Sequence, residues 1–298
     1  MSDCVALLGS YWTLAGAADP AADQRCHHEL RRRVELASRA GFRGMGFWHA
    51  DLAEIRRRHG FREMKQILDD HGIEHIEIEW LLDWYTSGAR RAASDQTRQL
   101  LLEAAGALHA RHIKIGDLHN DCAEVPKLTE EFALLCQQAA AQGTNVLFEM
   151  LPAQFSRAPS LDAVLSICHG AGERNGGIML DNLHVQRTRT TPADIVRKIG
   201  RDIPLGVELN DGTLAESPRF EDSVINKRLL PGDGEFDIAA FLHAVWDLGY
   251  DGPVGVEVLN EYIRKWPLEV AAMEAFNKTS RVVASARQQW RPAHTSAR

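Results

Sequence analysis

No apolar run in this sequence approaches the roughly 18–20 residues needed to cross a bilayer, so no membrane span is expected. Basic character is scarce too. The 34 Lys and Arg against 41 Asp and Glu leave a net charge of -7, which disfavours a nucleic-acid-binding face, because such a face is basic. Cysteine is sparse and unpatterned. The five, Cys4, Cys26, Cys122, Cys136 and Cys168, are odd in number, and none stands in a C-x-x-C spacing. That pattern suits buried, reduced thiols in a cytoplasmic protein better than a disulfide framework. The first residues, Met-Ser-Asp-Cys-Val-Ala-Leu-Leu-Gly, carry neither a basic segment nor a long apolar stretch, so no secretory leader is expected. Finally, no G-x-G-x-x-G follows the first apolar segment, which weakens the dinucleotide-binding form of an open doubly wound sheet.

What the chain does contain is an alternation of short apolar segments with amphipathic ones. Its 298 residues are 45% hydrophobic and 25% charged, ordinary globular values. Strands are expected at Val5–Gly9, Gly44–Trp48, Ile73–Trp80, Ile113–Gly116, Val146–Glu149, Ile178–Asp181, Leu205–Leu209 and Val254–Val258. Helices are expected at Glu29–Ala40, from an N-cap at Asp51 to about His71, and at Arg90–Ala110, Thr129–Gln142, Ser160–His169, Pro192–Ile199, Ile238–Leu248 and Leu268 to about Ala284. The later strands are short, uniformly apolar and rich in Val, Ile, Leu and Gly, as strands covered on both faces are. Eight such repeats predict a single (β/α)8 TIM barrel over residues 1–284, with 285–298 as a flexible tail. The segments Arg31–Arg33 and Arg56–Arg58 are expected on solvated helix faces, and a long loop is expected from Asn210 to Glu235.

Acids end four successive strands: Glu149, Asp181, Glu208 and Glu257. In a barrel those ends share one mouth. A buried carboxylate is costly alone but tolerable beside a cation. Each also has a plainer reading: Asp181 can cap the next segment, and Glu208 and Glu257 can pair with an internal lysine or arginine. Their coincidence on consecutive strands favours one shared ion. Carboxylate ligands with few imidazoles favour one divalent ion, Mn2+ or Mg2+, with Co2+ or Zn2+ also compatible. His184, three residues past Asp181, reaches the same space. Further candidates to meet a substrate are His49 after the second strand, Glu79 in Glu79-Trp80, Asp211 after the seventh strand, and Arg228, which has Lys227 beside it in the long loop. Trp12, Trp48, Trp80 and Trp84 either line the mouth or pack in the core, and Lys114 either pairs an acid inside the barrel or lies at its mouth.

These motifs carry a family likeness. Glu149 followed by Leu151-Pro152, Asp181-Asn-Leu-His184, Val207-Glu-Leu-Asn-Asp211, Leu230-Pro-Gly-Asp-Gly-Glu-Phe-Asp237 and Gly252-Pro-Val-Gly-Val-Glu257 resemble those of the xylose isomerase-like TIM-barrel superfamily, in its sugar phosphate isomerase/epimerase branch. The resemblance covers about Val5 to Val283. It implies a metal held by Glu149, Asp181 and Glu257, with Glu208 standing where the family has histidine. It implies that His184 binds substrate or lies beside the metal, and that Glu149 and Glu257 act as acid and base. The implied activity is metal-dependent isomerisation or epimerisation of a small polyhydroxylated carbonyl compound, a sugar, sugar phosphate or inosose, through an enediolate. A keto-sugar or dehydroshikimate-type dehydratase on the same barrel is the alternative. An apurinic-site endonuclease would need zinc histidines and a basic groove, and a barrel that merely binds sugar would need no metal. Trp266–Met273 and the tail offer a surface for homo-oligomer contact that nothing in the sequence requires.

Overall fold

The computed structural model describes residues 5–118, 124–215 and 219–292, without the side chains of residues 220 and 221. Eight parallel strands close into a barrel in sequence order: β1 (Leu7–Gly9), β2 (Gly44–Trp48), β3 (His75–Leu81), β4 (His112–Ile115), β5 (Asn145–Glu149), β6 (Gly176–Asp181), β7 (Leu205–Leu209) and β8 (Val254–Val256). β8 pairs back onto β1, which completes the ring. No described helix is long and apolar enough to cross a membrane.

The strands read as continuous apolar runs, yet they alternate. Ile76 and Ile78, Ile113 and Ile115, Val146 and Phe148, Ile178 and Leu180, and Val207 and Leu209 join one hydrophobic core shared with the surrounding helices. The intervening residues belong to the other face and line the barrel axis. They include Glu77 and Glu79, His112 and Lys114, Glu149, Asp181 and Glu208, all buried. Period-two alternation therefore puts one charged set inside the ring and one apolar set outside. Two glycines make room for the acids. A Cβ on Gly46 would lie 2.8 Å from Glu79 Oε1, and one on Gly255 would lie 2.8 Å from Glu208 Cγ.

The helices follow the expected order, with some differences. A short α1 (Tyr11–Leu14) opens directly from β1 and precedes α2 (Leu30–Ala40). The single helix expected from Asp51 to His71 is two, α3 (His49–Arg58) and α4 (Gly60–Asp70), broken where Gly60 takes φ +73. Asp51 is not a cap; it sits inside α3, buried, 2.6 Å from Arg33. Arg33 in turn is not solvated: it is 2% exposed, with its guanidinium over the Phe47 and Tyr11 rings.

Beyond β3 come α5 (Gly88–Leu108), α6 (Val125–Ala140) and α7 (Leu161–Ala171). Next are α8 (Asn182–Arg187), α9 (Pro192–Lys198), α10 (Phe220–Ile225) inside the long loop, and α11 (Ile238–Asp247). The last, α12 (Leu268–Gln289), passes the end expected near Ala284, so residues 285–289 are helix rather than tail. Residues 293–298 of that tail, with Cys4 and Cys122, lie outside the described residues. Cys26, Cys136 and Cys168 are free thiols. Burial pushes the Cys136 and Cys168 thiols up, Cys168 to about 12.

Candidate metal centre

The strand register aligns the acids. Asp181 of β6 pairs with Glu208 of β7, Glu149 of β5 lies beside Met179, and Glu257 follows directly on β8. Glu149, Asp181, Glu208 and Glu257 each offer a carboxylate oxygen within 4.8 Å of the others, and Glu149, Asp181 and His184 form an overlapping group by the same measure. His184 Nε2 lies 3.4 Å from Glu149 Oε1. His184 is carried there by α8, whose N-cap is Asp181: the carboxylate accepts from Leu183 N at 2.7 Å. Asp181 thus caps α8 with the same side chain that reaches the acid cluster.

Two fixed cations share the site. Lys114 Nζ, from β4, meets Glu208 Oε1 at 2.8 Å, Glu257 Oε1 at 2.8 Å and Glu79 Oε2 at 2.9 Å. Arg228 Nη1 donates to Asp181 Oδ2 at 2.6 Å and Glu257 Oε2 at 2.7 Å, and its Nε donates to Val224 O. The internal cation that Glu208 and Glu257 could pair with is Lys114, which thus pairs acids inside the barrel, while Lys227 pairs with Asp222. Asn210 Nδ2 adds a neutral donor to Asp181 Oδ1 at 2.9 Å.

Burial raises the carboxyls of Glu79, Asp181, Glu208 and Glu257, and neighbouring charges decide the outcome. At Asp181, Arg228 and His184 outweigh burial and bring the carboxyl down to about 2. Burial pushes Glu79 up to about 8, with Lys114 opposing and Glu77 assisting. Burial and the nearby Glu257 drive Glu208 well above the carboxylate range, and burial raises Glu257 against the pull of Lys114 and Arg228. Beneath them, Glu77 Oε2 meets His112 Nε2 at 2.7 Å. Glu77 Oε1 and Glu208 Oε2 find no ordinary donor.

A cavity of about 290 Å³ opens above the acids. Its charged floor is Glu79, Lys114, Glu149, His184, Arg228 and Glu257. One wall is aromatic: Trp12, Trp48 and Trp80, with ring centroids 4.8 Å apart for the first pair and 6.0 Å for Trp48 and Trp80. Trp84, by contrast, packs in the core against Phe148.

Of the remaining candidates, His49 stacks behind Trp48 at the start of α3 and does not line this cavity. Asp211 is also elsewhere. Its carboxylate accepts from Gly212 N, Gly232 N and Phe236 N and so ties down the loop after β7. Of the two places left open for the tryptophans, Trp12, Trp48 and Trp80 take the mouth and Trp84 the core. Asn210 had no assigned role in the sequence; the Asn-Asp pair after β7 is its local signal.

The donor set suits a divalent cation. Four hard carboxylates and an adjacent imidazole converge, Glu208 Oε2 lacks an ordinary donor, and Glu149 meets no fixed cation among the described residues. A parallel eight-stranded barrel with this mouth defines a class of protein whose chemistry sits at the strand ends. Within that class, the chain belongs to the xylose isomerase-like TIM-barrel family, whose family model matches residues 34–280.

It is 26% identical over 254 residues to a 3-dehydroshikimate dehydratase of Pseudomonas aeruginosa, a match covering 82% of this chain and 38% of that protein. The chain therefore spans well under half the length of that relative. Its fold is that of the IolI protein solved with a bound zinc atom (TM-score 0.79, 16% identity, 94% of this chain and 99% of that one). It is also that of a D-allulose 3-epimerase from Methylomonas sp. in complex with D-allulose (TM-score 0.71, 16% identity, 96% and 98%).

Proposed function

We propose that this protein is a divalent-metal-dependent isomerase or epimerase of a small polyhydroxylated carbonyl compound. The convergence of Glu149, Asp181, Glu208 and Glu257 on one point of the barrel mouth is the observation that carries the reading. These four residues would hold the ion, Mn2+ or Mg2+ by ligand hardness, with Co2+ and Zn2+ compatible. Such an ion supplies Lewis-acid stabilisation of negative charge developing on a substrate oxygen.

The chain's own residues supply the rest. Glu149 and Glu257 face the cavity from β5 and the end of β8, and they exchange a proton with the carbon beside the carbonyl, one removing it and one returning it. Arg228 and His184 orient the hydroxyl groups, and Glu79 accepts from them. The tryptophan wall covers an apolar face of the substrate and keeps water from the floor.

The dehydratase names of the curated relatives favour a second reading, in which proton removal is followed by loss of a β-hydroxyl. The two readings share the first step and separate on product. The purified protein, loaded with Mn2+, Mg2+, Co2+ or Zn2+, is incubated in D2O with ketoses, inososes and dehydroshikimate. The isomerase reading expects deuterium at one carbon of a ketose or inosose, with an isomer as product. Elimination with an unsaturated product identifies the dehydratase instead, and no metal-dependent exchange with any of them overturns both.

A further inference from the structure

The cations already inside the site constrain how it can load a metal. Both oxygens of Glu257 are held by fixed cations, Oε1 by Lys114 and Oε2 by Arg228. Asp181 Oδ2 is held by Arg228, and Asp181 Oδ1 accepts from Leu183 N and Asn210 Nδ2. Glu208 Oε1 is held by Lys114. The two cations differ in freedom. Arg228 stands on the loop after β7, whereas Lys114 rises from β4 inside the ring, is 1% exposed and is clasped by Glu79, Glu208 and Glu257 together.

We propose that Lys114 is a built-in competitor of the divalent ion: its ammonium holds Glu208 and Glu257, two of the four carboxylates the ion needs, and so sets the metal affinity of the site. The inference rests on the reading that these carboxylates bind metal. Coulomb attraction falls with distance and with effective dielectric. An ammonium 2.8 Å from two prospective ligands is therefore a fixed repulsion that an incoming cation meets at both Glu208 and Glu257, of which Arg228 reaches only Glu257. Its own pairings must loosen before Glu257 Oε1 and Glu208 Oε1 can turn to the ion. The lysine is a positioning residue: it arranges the carboxylates that meet substrate and metal. Its charge keeps the acid cluster assembled when no ion is present and keeps the ion exchangeable when one is.

The test is a Mn2+ titration by calorimetry at constant pH and ionic strength, comparing the wild type with Lys114→Met. The variant should bind Mn2+ at least about tenfold more tightly, because the competing charge is gone. An equal or weaker dissociation constant overturns the proposal while leaving the metal reading standing. Absence of Mn2+ binding in both proteins overturns the two together. Should Lys114→Met not fold, Lys114→Gln removes the same charge, keeps a neutral hydrogen-bond donor for the buried carboxylates and leaves all four prospective ligands in place. Tighter binding than wild type is expected there as well, and binding no tighter than wild type rejects the competitor role.

Discussion

Replacing Arg228 by methionine keeps much of the side-chain bulk and deletes one charge from the floor of the mouth. Arg228 is 3% exposed, and its Nη1 bridges Asp181 Oδ2 and Glu257 Oε2. In the variant both carboxylates stay buried, and Lys114 reaches only Glu257. Removing one partner of a buried ion pair costs about 3–5 kcal/mol, because the survivor is left uncompensated. At about 2–4 °C per kcal/mol for a large domain, the melting temperature should drop by roughly 6–20 °C.

The acid side of the stability profile should change as well. Arg228 holds the Asp181 carboxyl down at about 2. That depression contributes stability that is present above the ordinary value near 3.8 and is lost as the pH falls through about 2. Without Arg228 that contribution shrinks, because only His184 and the donors Asn210 and Leu183 are left to oppose burial. Urea unfolding in the presence of a chelator, repeated from pH 7 to pH 3, measures both effects, and added Mn2+ should restore more stability to the variant than to the wild type. A loss below about 1 kcal/mol in chelator would refute the reasoning, since it would mean that water or rearranged side chains already compensate these carboxylates.

Glu257→Gln conserves volume but removes a proton-transfer group and a metal charge. Turnover should fall at least about 100-fold while the far-UV circular dichroism stays that of the wild type; undiminished activity would reduce Glu257 to a structural partner of Lys114 and Arg228. Burial depresses His49 to about 4, so its neutral form is the one that folds. Its contribution is intact above the ordinary value of 6.5 and is lost as the pH falls from there towards about 4. His49→Gln should therefore flatten stability against pH in that window, and an unchanged slope would show that the imidazole charges without penalty.

The order of elements was legible because the barrel repeats one local rule eight times. Glycine stops such as Gly41 and apolar segments such as Val146-Leu-Phe mark each unit, and the strand bounds agree to within about two residues. Four acids at four strand ends were visible because each closes an apolar run. Less legible was whatever depends on a partner distant in sequence. Lys114 could be placed on β4 but not assigned, since its carboxylates are 94 and 143 residues away. Arg33 looked solvated beside Arg31 and Arg32, because nothing local announces Asp51 as its buried partner. Asp51 looked like a cap for the same reason. The tryptophan wall was ambiguous because tryptophan commonly packs, and Trp84 does so while Trp12, Trp48 and Trp80 line the cavity. The break at Gly60 was hidden inside a sequence whose apolar spacing stays helical on both sides.

The central claim is that the four strand-end carboxylates form one metal centre. The most direct measurement is a crystal structure of the wild type soaked in Mn2+ and recorded with anomalous diffraction. One manganese ion per chain is predicted at the barrel mouth, with oxygens of Glu149, Asp181, Glu208 and Glu257 at about 2.0–2.6 Å. An anomalous map with no manganese among these four residues, or with manganese held by other residues, would contradict it.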